Sequence, residues 1–185
     1  MSRQYFEDCV IEPLAGANTI VSPTAAAITA TTITAMFSVA ATTIPAVDVR
    51  PGRVWRLTAG GIWTNATTGT LTLTPIWGTT SGGVAMGASV AQTVYGTAVT
   101  AGAWYMEATC LCRSTSVSTG ANAKVICHGH FSSPGIAGTA GSNFNMSFGG
   151  TETSVDPTLA GFQMGWTLSV AGSCTPQFMM LQSCN

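Results

Sequence analysis

The sequence predicts an all-β protein: a two-sheet antiparallel sandwich of the jelly-roll type, preceded by an extended N-terminal arm. Apolar and polar residues alternate in several short runs, and Gly-rich turns separate these runs. No segment has the periodicity of a helix. The chain of 185 residues suits one domain with a sizeable core, and at this length a jelly roll is more natural than a small barrel.

The first fifty residues differ from the rest in composition. Residues 13–47 contain no charged residue and are rich in Ala, Thr and Ile. Within them, residues 33–41 alternate weakly, which indicates either a first strand or an arm that pairs with a neighbour. We therefore divide the chain into an N-terminal arm or attachment segment, 1–50, and a β-sandwich domain, 51–185.

The sandwich is expected to contain about eight or nine strands with turns between them. Pro51-Gly52 predicts a turn at the rim of a hairpin. The segments 79–103 and 132–143 are expected to be loops, and 171–176 a turn. The main predicted strands are 54–63, with a Gly-Gly kink, then 69–78, 103–114, 123–131, 162–170 and 177–183.

Charge is scarce throughout the chain. Only 7% of residues are charged, against a usual ~25%, and the formal net charge is −1. Nucleic-acid binding is disfavoured because it needs a basic stripe. No apolar run approaches the ~18 residues of a membrane span, and the first residues lack the apolar region of a secretory signal. We therefore expect the protein to be synthesised in a cytoplasm and not to be secreted through a signal peptide.

The most unusual stretch is 57–106, fifty residues without Asp, Glu, Lys, Arg or His. A neutral surface of hydroxyls and small side chains is soluble but poorly protected against association. Such a surface suits a homo-oligomer or part of a larger assembly. The alternative is a secreted β-domain with a hydroxyl-rich face.

Cysteines and histidines lie on neighbouring predicted strands. Cys110 and Cys112 share one strand face, and so do His128 and His130. Such a set can bind zinc, but the alternation places Cys110, Cys112 and Cys127 in the core and the histidines outside. We expect no metal, no other cofactor, and buried thiols that pack as small hydrophobic groups. A structural disulfide is the less common alternative in a cytosolic product.

Few side chains are available for catalysis. Glu107 is expected alone on an outer strand face, and Glu152 and Asp156 fall in one loop. Two carboxylates can serve a glycosidase, but the sequence shows no aromatic-lined cleft around them. No nucleophile, metalloprotease or phosphate-binding motif is present. We predict no catalytic residues and no enzymatic activity.

The tryptophans all fall in predicted strands. Trp55 and Trp63 can point either into the core or to solvent, because a kink at Gly60-Gly61 can change which face of the strand is buried. Exposed aromatic residues such as Trp63 or Tyr95 would favour sugar binding. Register with apolar neighbours favours core positions for Trp77, Trp104 and Trp166.

Three segments resemble segments of one known protein family, and their order along the chain is a more specific signal than any one segment. They are RLTAGGIWTNATTGTLTLTPIWG, WYMEATCLCRS and FQMGWTLSVAGSCTPQFMMLQSCN. This order resembles a family of small β-rich virion proteins of tailed bacteriophages, which pair a TGTLTL segment with a WxxE…RS strand and a final hairpin. The match covers about residues 54–185. The cysteines and the long uncharged N-terminal segment depart from the family pattern.

The resemblance implies a jelly-roll decoration or minor capsid protein. We therefore predict a structural virion protein that forms a homotrimer and binds the major capsid protein shell on the outside of a bacteriophage head. Arg50, Arg53 and Arg56 are possible capsid contacts, to an acidic shell surface; the alternative for them is a solvated turn. The alternative function is a receptor- or carbohydrate-binding virion protein, at a tail tip or as a head fibre.

Overall fold

The computed structural model describes residues 12–13, 26–28, 33–37, 43–65, 69–78, 83–89, 91–94, 99–115, 123–133, 144–159, 161–170 and 172–184. Within these ranges the chain forms thirteen strands and one 3-10 helix, Ala46–Asp48. The strands are β1 (Glu12–Pro13), β2 (Ala26–Ile28), β3 (Thr34–Ala35), β4 (Val54–Asn65), β5 (Gly69–Trp77), β6 (Val84–Ala85), β7 (Gln92–Val94), β8 (Val99–Thr115), β9 (Ala123–Ser133), β10 (Phe144–Gly149), β11 (Thr153–Val155), β12 (Phe162–Leu168) and β13 (Gly172–Cys184). The predicted all-β class is confirmed. In the described ranges no helix is long and apolar enough to cross a lipid bilayer.

The strands form two antiparallel sheets. The large sheet has the order β1-β13-β4-β8-β9-β10, with β2 also paired to β13 and β11 to β9. The small sheet has the order β3-β12-β5-β6, and β7 also pairs with β5. Side chains of both sheets meet in one hydrophobic cluster. The predicted two-sheet antiparallel sandwich is therefore confirmed.

Aromatic rings of the two sheets meet in the core. Trp63 of β4 lies 5.4 Å from Trp166 of β12, and Trp55 of β4 lies 5.5 Å from Trp77 of β5, measured between ring centroids. Both contacts are edge-to-face, the arrangement that the ring quadrupoles favour. The core positions predicted for Trp77, Trp104 and Trp166 are confirmed, and Trp55 and Trp63 are buried with them.

The two central strands of the small sheet are buried on both faces. On the face away from the core, Thr74 of β5 is 4% exposed and Gln163 of β12 is fully buried. Ile33 covers part of this face, because a Cβ added to Gly165 would collide with its Cγ2 atom. A strand that is covered on both sides needs apolar or neutral residues on both. Burial within one chain thus accounts for part of the uncharged stretch 57–106.

Part of the predicted N-terminal arm belongs to the core. Met36 N–H donates a hydrogen bond to the Met164 carbonyl at 2.9 Å, β3 pairs with β12, and β1 and β2 pair with β13. The boundary at residue 50 stays a prediction, but these contacts attach parts of the predicted arm to the sandwich, and buried side chains do the same for residues 33–37 and 43–50. Four of their side chains are buried in the common hydrophobic cluster: Met36, Phe37, Ile44 and Val49.

Several element boundaries differ from the prediction. The expected loop over 79–103 contains β6, β7 and the first residues of β8, and most of the expected turn over 171–176 belongs to β13. The expected strand over 33–41 is reduced to β3 among the described residues. Of the expected loop over 132–143, the first two residues end β9 and the rest lie outside the described ranges. The strands β10 and β11 escaped prediction because they are short and lie beside glycine-rich segments.

The end of the chain is not the hairpin that the resemblance implies. Strand β12 pairs with β5 in the small sheet, whereas β13 pairs with β4 in the large sheet. The chain therefore crosses from one sheet to the other between these strands. Their alternating patterns resemble a hairpin because both strands direct apolar side chains into the same core.

Candidate functional site

The predicted turn at Pro51-Gly52 forms and packs against β8. Arg53 N–H donates to the Arg50 carbonyl at 3.1 Å, and Gly52 has φ +86°. Proline followed by a residue with positive φ is the geometry of a type II turn. Gly52 N–H also donates to the Cys112 carbonyl at 2.8 Å. The turn leads from the 3-10 helix into β4, and the expectation that it forms the rim of a hairpin is wrong.

The three candidate arginines have different surroundings. Arg50 Nε donates to the Val47 carbonyl at 2.6 Å, and Arg53 Nη2 lies 3.6 Å from Asp48 Oδ1. Arg56 is exposed on the outer face of β4. Two of the three are therefore engaged by the segment that carries them. Their contact with a capsid shell stays a prediction.

The cysteines and histidines lie on opposite faces of the large sheet, as the alternation predicts. Cys110 of β8 and Cys127 of β9 are directly opposite each other and fully buried, whereas His128 and His130 are exposed. In the part of the chain that the structure describes, no three His, Cys, Asp or Glu side chains form a group that could hold a metal ion.

Burial also determines the chemistry of these thiols. It raises the pKa of Cys127 to about 12 and the pKa of Cys110 well above its usual value. A thiol is nucleophilic only as the thiolate. Both groups therefore stay protonated near neutral pH and act as apolar packing.

The two carboxylates expected in one loop, Glu152 and Asp156, lie on either side of β11 and have separate partners. Glu152 Oε2 accepts a hydrogen bond from Arg113 Nη1 at 2.7 Å. Asp156 Oδ1 accepts one from the Thr158 hydroxyl at 2.7 Å and another from the Thr158 N–H at 2.8 Å. A glycosidase needs two carboxyl groups that flank one substrate bond. Here each carboxylate is instead held by a different neighbour.

The outer face of the large sheet carries an exposed aromatic pair. Phe178 of β13 and Tyr105 of β8 are each 40% exposed. Both are in register with Gly60 of β4, which lies between them. We call Phe178, Gly60 and Tyr105 the aromatic platform. Met180, 37% exposed, follows Phe178 on the same face of β13.

A β-bulge in β13 turns Phe178 outward. The register with β4 shifts between Pro176 and Phe178, so Gln177 is an extra residue on this strand. Pro176 and Met179 are buried, whereas Gln177 and Phe178 are exposed side by side. Strict alternation from Pro176 would place Phe178 in the core.

The two glycines of β4 accommodate this bulge. A Cβ added to Gly61 would lie 2.8 Å from Pro176 Cα and would collide with the Thr175 carbonyl oxygen. A Cβ added to Gly60 would lie 2.7 Å from Cζ of the Phe178 ring. Gly61 thus makes room for the bulged backbone, and Gly60 lets the Phe178 ring lie across β4.

A carboxylate adjoins the aromatic platform. The Tyr105 hydroxyl donates to Glu107 Oε1 at 2.7 Å. This hydrogen bond is the largest cause that raises the pKa of Tyr105; partial burial and the charge of Glu107 add to it, and the charge of Arg56 opposes it. The hydroxyl is therefore a neutral donor at physiological pH, and the hydrogen bond directs the tyrosine ring along β8 toward Glu107.

The aromatic platform escaped prediction from the sequence. The sequence leaves the direction of Trp63 open, and exposure of this residue would have favoured the alternative, sugar-binding function; in the structure Trp63 is fully buried and donates from Nε1 to Ser133 Oγ at 3.1 Å. The reason is that β4 keeps its alternation through Gly60-Gly61. Tyr95 lies outside the described residues. The available signal was a Gly-Gly pair in a strand, which indicates close approach of another backbone.

Comparisons with known proteins do not identify the chain. No protein-family model, no curated protein and no solved structure matches it.

Proposed function

We propose that the chain is a structural protein of a bacteriophage virion, without enzymatic activity. It assembles as a homotrimer and binds the major capsid protein shell on the outside of the head, as a decoration or minor capsid protein of the cement type. The support comes from the distribution of charge in the structure, from the strand topology and from the sequence resemblance.

One observation carries the proposal: the described strands of the small sheet contain no charged residue and no histidine. Their sequences are TA, GTLTLTPIW, VA, QTV and FQMGWTL. The charged side chains that the structure describes lie on the large sheet, in the 3-10 helix or in loops. Charges on exposed edge strands normally block association, and the exposed residues of the edge strands β6 and β7, Val84, Ala85 and Gln92, are neutral.

The small sheet exposes aliphatic residues on its outer face, at Ile33, and at its edge, near the end of β5. Ile33 is 42% exposed, Val84 38% and Leu159 51%. Val84 and Leu159 lie near each other at the end of β5, since a Cβ added to Gly78 would be 3.0 Å from Gly83 Cα and 3.5 Å from the Leu159 carbonyl oxygen. We call the strands of the small sheet, with Ile33 and Leu159, the small-sheet side. Apolar groups surrounded by neutral residues suit a subunit contact.

The strand topology supports a jelly-roll interpretation in part. Strands β4 and β5 are consecutive and lie in different sheets, and they pair with β13 and β12, which are also consecutive. Such nesting of early and late strands is how a jelly roll wraps. The order β8-β9-β10 is a simple meander, which a jelly roll does not require.

A truncation tests attachment through the N-terminal segment. Deletion of residues 1–32 removes β1 and β2 but keeps the core residues Met36 and Ile44. We expect the shortened protein to remain a folded oligomer, because every described residue of the hydrophobic cluster is kept, and to lose binding to purified heads in a sedimentation assay.

Deletion of residues 1–11 is the control, since it leaves every described strand in place and should leave binding unchanged. Circular dichroism checks that both shortened proteins are folded. Full binding by the protein that lacks residues 1–32 would reject attachment through this segment.

A further inference from the structure

The trimer proposed above uses the small-sheet side and leaves the aromatic platform unexplained. The platform lies on the outer face of the large sheet, on the opposite side of the sandwich. Phe178 and Tyr105 are not needed in the core, because both are 40% exposed. Three backbone features nevertheless hold Phe178 there: the bulge at Gln177 and the two glycines of β4. Bulges often redirect a side chain at a functional site.

The size of the aromatic platform limits what it can bind. Phe178 and Tyr105 are in register across one intervening strand, so their Cα atoms are about 10 Å apart. The Phe178 ring lies over Gly60 and fills part of this gap. The apolar surface therefore spans the length of a small molecule. A stable protein contact needs about 800 Å² from each partner, far more than two rings and a methionine side chain provide.

Polar groups surround the aromatic rings on the same face. Glu107 accepts the hydrogen bond of Tyr105 with one oxygen, and its carboxylate can accept further bonds. His130 is the register partner of Glu107 on β9 and is exposed. Arg56 is also exposed, and it is close enough to Tyr105 for its positive charge to lower the pKa of the tyrosine hydroxyl. The aromatic platform is thus bordered by a carboxylate, Glu107, and by two side chains that can donate hydrogen bonds, Arg56 and His130.

We propose that the aromatic platform binds the sugar rings of an oligosaccharide. One face of a pyranose consists of C–H bonds and packs against an aromatic ring, whose face is electron-rich. The hydroxyl groups at the rim of the sugar donate to the Glu107 carboxylate and accept from Arg56. Apolar rings with a few placed polar groups are the usual composition of such sites. Neither the capsid contact nor trimer formation requires this site.

A glycan array tests this site with the full chain. The array carries gluco-, manno-, galacto- and N-acetylhexosamine oligosaccharides, and the best-bound oligosaccharide is then titrated by calorimetry. We expect Phe178→Ala and Tyr105→Ala each to weaken binding about tenfold or more. Tyr105→Phe, which keeps the ring, should weaken binding less than Tyr105→Ala. Leu159→Ala, on the small-sheet side, is the control and should bind like the wild type.

Both alanine variants should keep the fold, since the removed side chains are partly exposed, and circular dichroism checks this. Absence of binding to every oligosaccharide class would overturn the proposal. Equal binding by wild type and both alanine variants would also overturn it. Conversion of the variants to a lower oligomeric state would show that this face is a subunit interface instead. The assay uses the free protein, so its outcome is independent of binding to heads.

Discussion

The two consecutive glycines of β4 have different roles, although the sequence gives no reason to distinguish them. An added Cβ at Gly61 meets backbone atoms of the bulge, whereas an added Cβ at Gly60 meets mainly the end of the Phe178 ring. Backbone of a paired strand cannot move without loss of register. A half-exposed ring can turn away toward solvent.

We therefore expect Gly61→Ala to lower the free energy of unfolding by about 2–3 kcal/mol, as overpacking does. Gly60→Ala should cost about 1 kcal/mol or less, because the Phe178 ring can move. Urea denaturation of the two variants, followed by circular dichroism, gives both values. Equal costs would contradict the different roles of these glycines.

The buried thiols make stability depend on alkaline pH. Cys127 has a pKa of about 12 in the folded chain, against an ordinary value of 9.0. Above pH 9 the unfolded chain loses a proton that the folded chain retains, so unfolding becomes more favourable. The contribution of this thiol is complete below about pH 9 and is lost as pH rises toward about 12.

The urea midpoint should accordingly fall between about pH 8 and about pH 10.5. Cys127→Ala lacks the titrating group, so its midpoint should fall less over the same interval, although the variant is less stable overall. Tyr105 and the other buried thiols, Cys110, Cys112 and Cys174, are present in both proteins, so the difference between the two proteins reports Cys127. An equal fall in both proteins would show that Cys127 does not cause the dependence.

At the level of elements, the segment before β4 combines buried and exposed positions. Ile44 is fully buried in the common cluster, and Val47, three residues later, is 67% exposed. A freely extended arm would expose both. The packing of Ile44 indicates that this part of the predicted arm helps to stabilise the sandwich.

Ile44→Ala should lower the free energy of unfolding by about 2–4 kcal/mol, through lost burial and a cavity. Val47→Ala is the matched control and should change it by no more than about 0.5 kcal/mol. Chemical denaturation of both variants measures the difference. A neutral Ile44→Ala would mean that the segment is dispensable for the fold, as the predicted arm implies.

Alternation in the sequence was enough to predict the long strands and the inward direction of most of their side chains. It succeeds for β4, β5, β8 and β9 because each has one face on the core. It fails for β6, β7 and β11, which have two or three residues and no measurable period. It also misses the aromatic platform, because a single extra residue, Gln177, reverses the faces of β13.

Sheet membership depends on pairing between distant segments, so the separation of β12 from β13 could not be predicted from local pattern.

At the level of the whole molecule, the two sides of the sandwich differ in chemistry. The small-sheet side is neutral, with exposed Val84 and Leu159. The face of the large sheet carries histidines, arginine and glutamate together with the aromatic platform. On this difference we propose that assembly uses the small-sheet side, which would leave the other face free for a soluble ligand.

Charges placed on the small-sheet side should therefore prevent assembly. We expect the double variant Val84→Asp, Leu159→Asp to be a folded monomer, because like charges would be buried together at the subunit contact. Val47→Asp, an exposed aliphatic position outside that side, should leave the oligomer intact. Analytical ultracentrifugation distinguishes the two results, and an assembled double variant would place the contact elsewhere.

The proposed assembly is tested most directly by the mass of the wild-type protein in solution. Size-exclusion chromatography with light scattering measures this mass without a standard of known shape. We expect a single species with three times the 18.9 kDa mass of one chain. A species with the mass of one chain at every concentration would contradict assembly through the small-sheet side and, with it, the proposed role as a trimeric capsid protein.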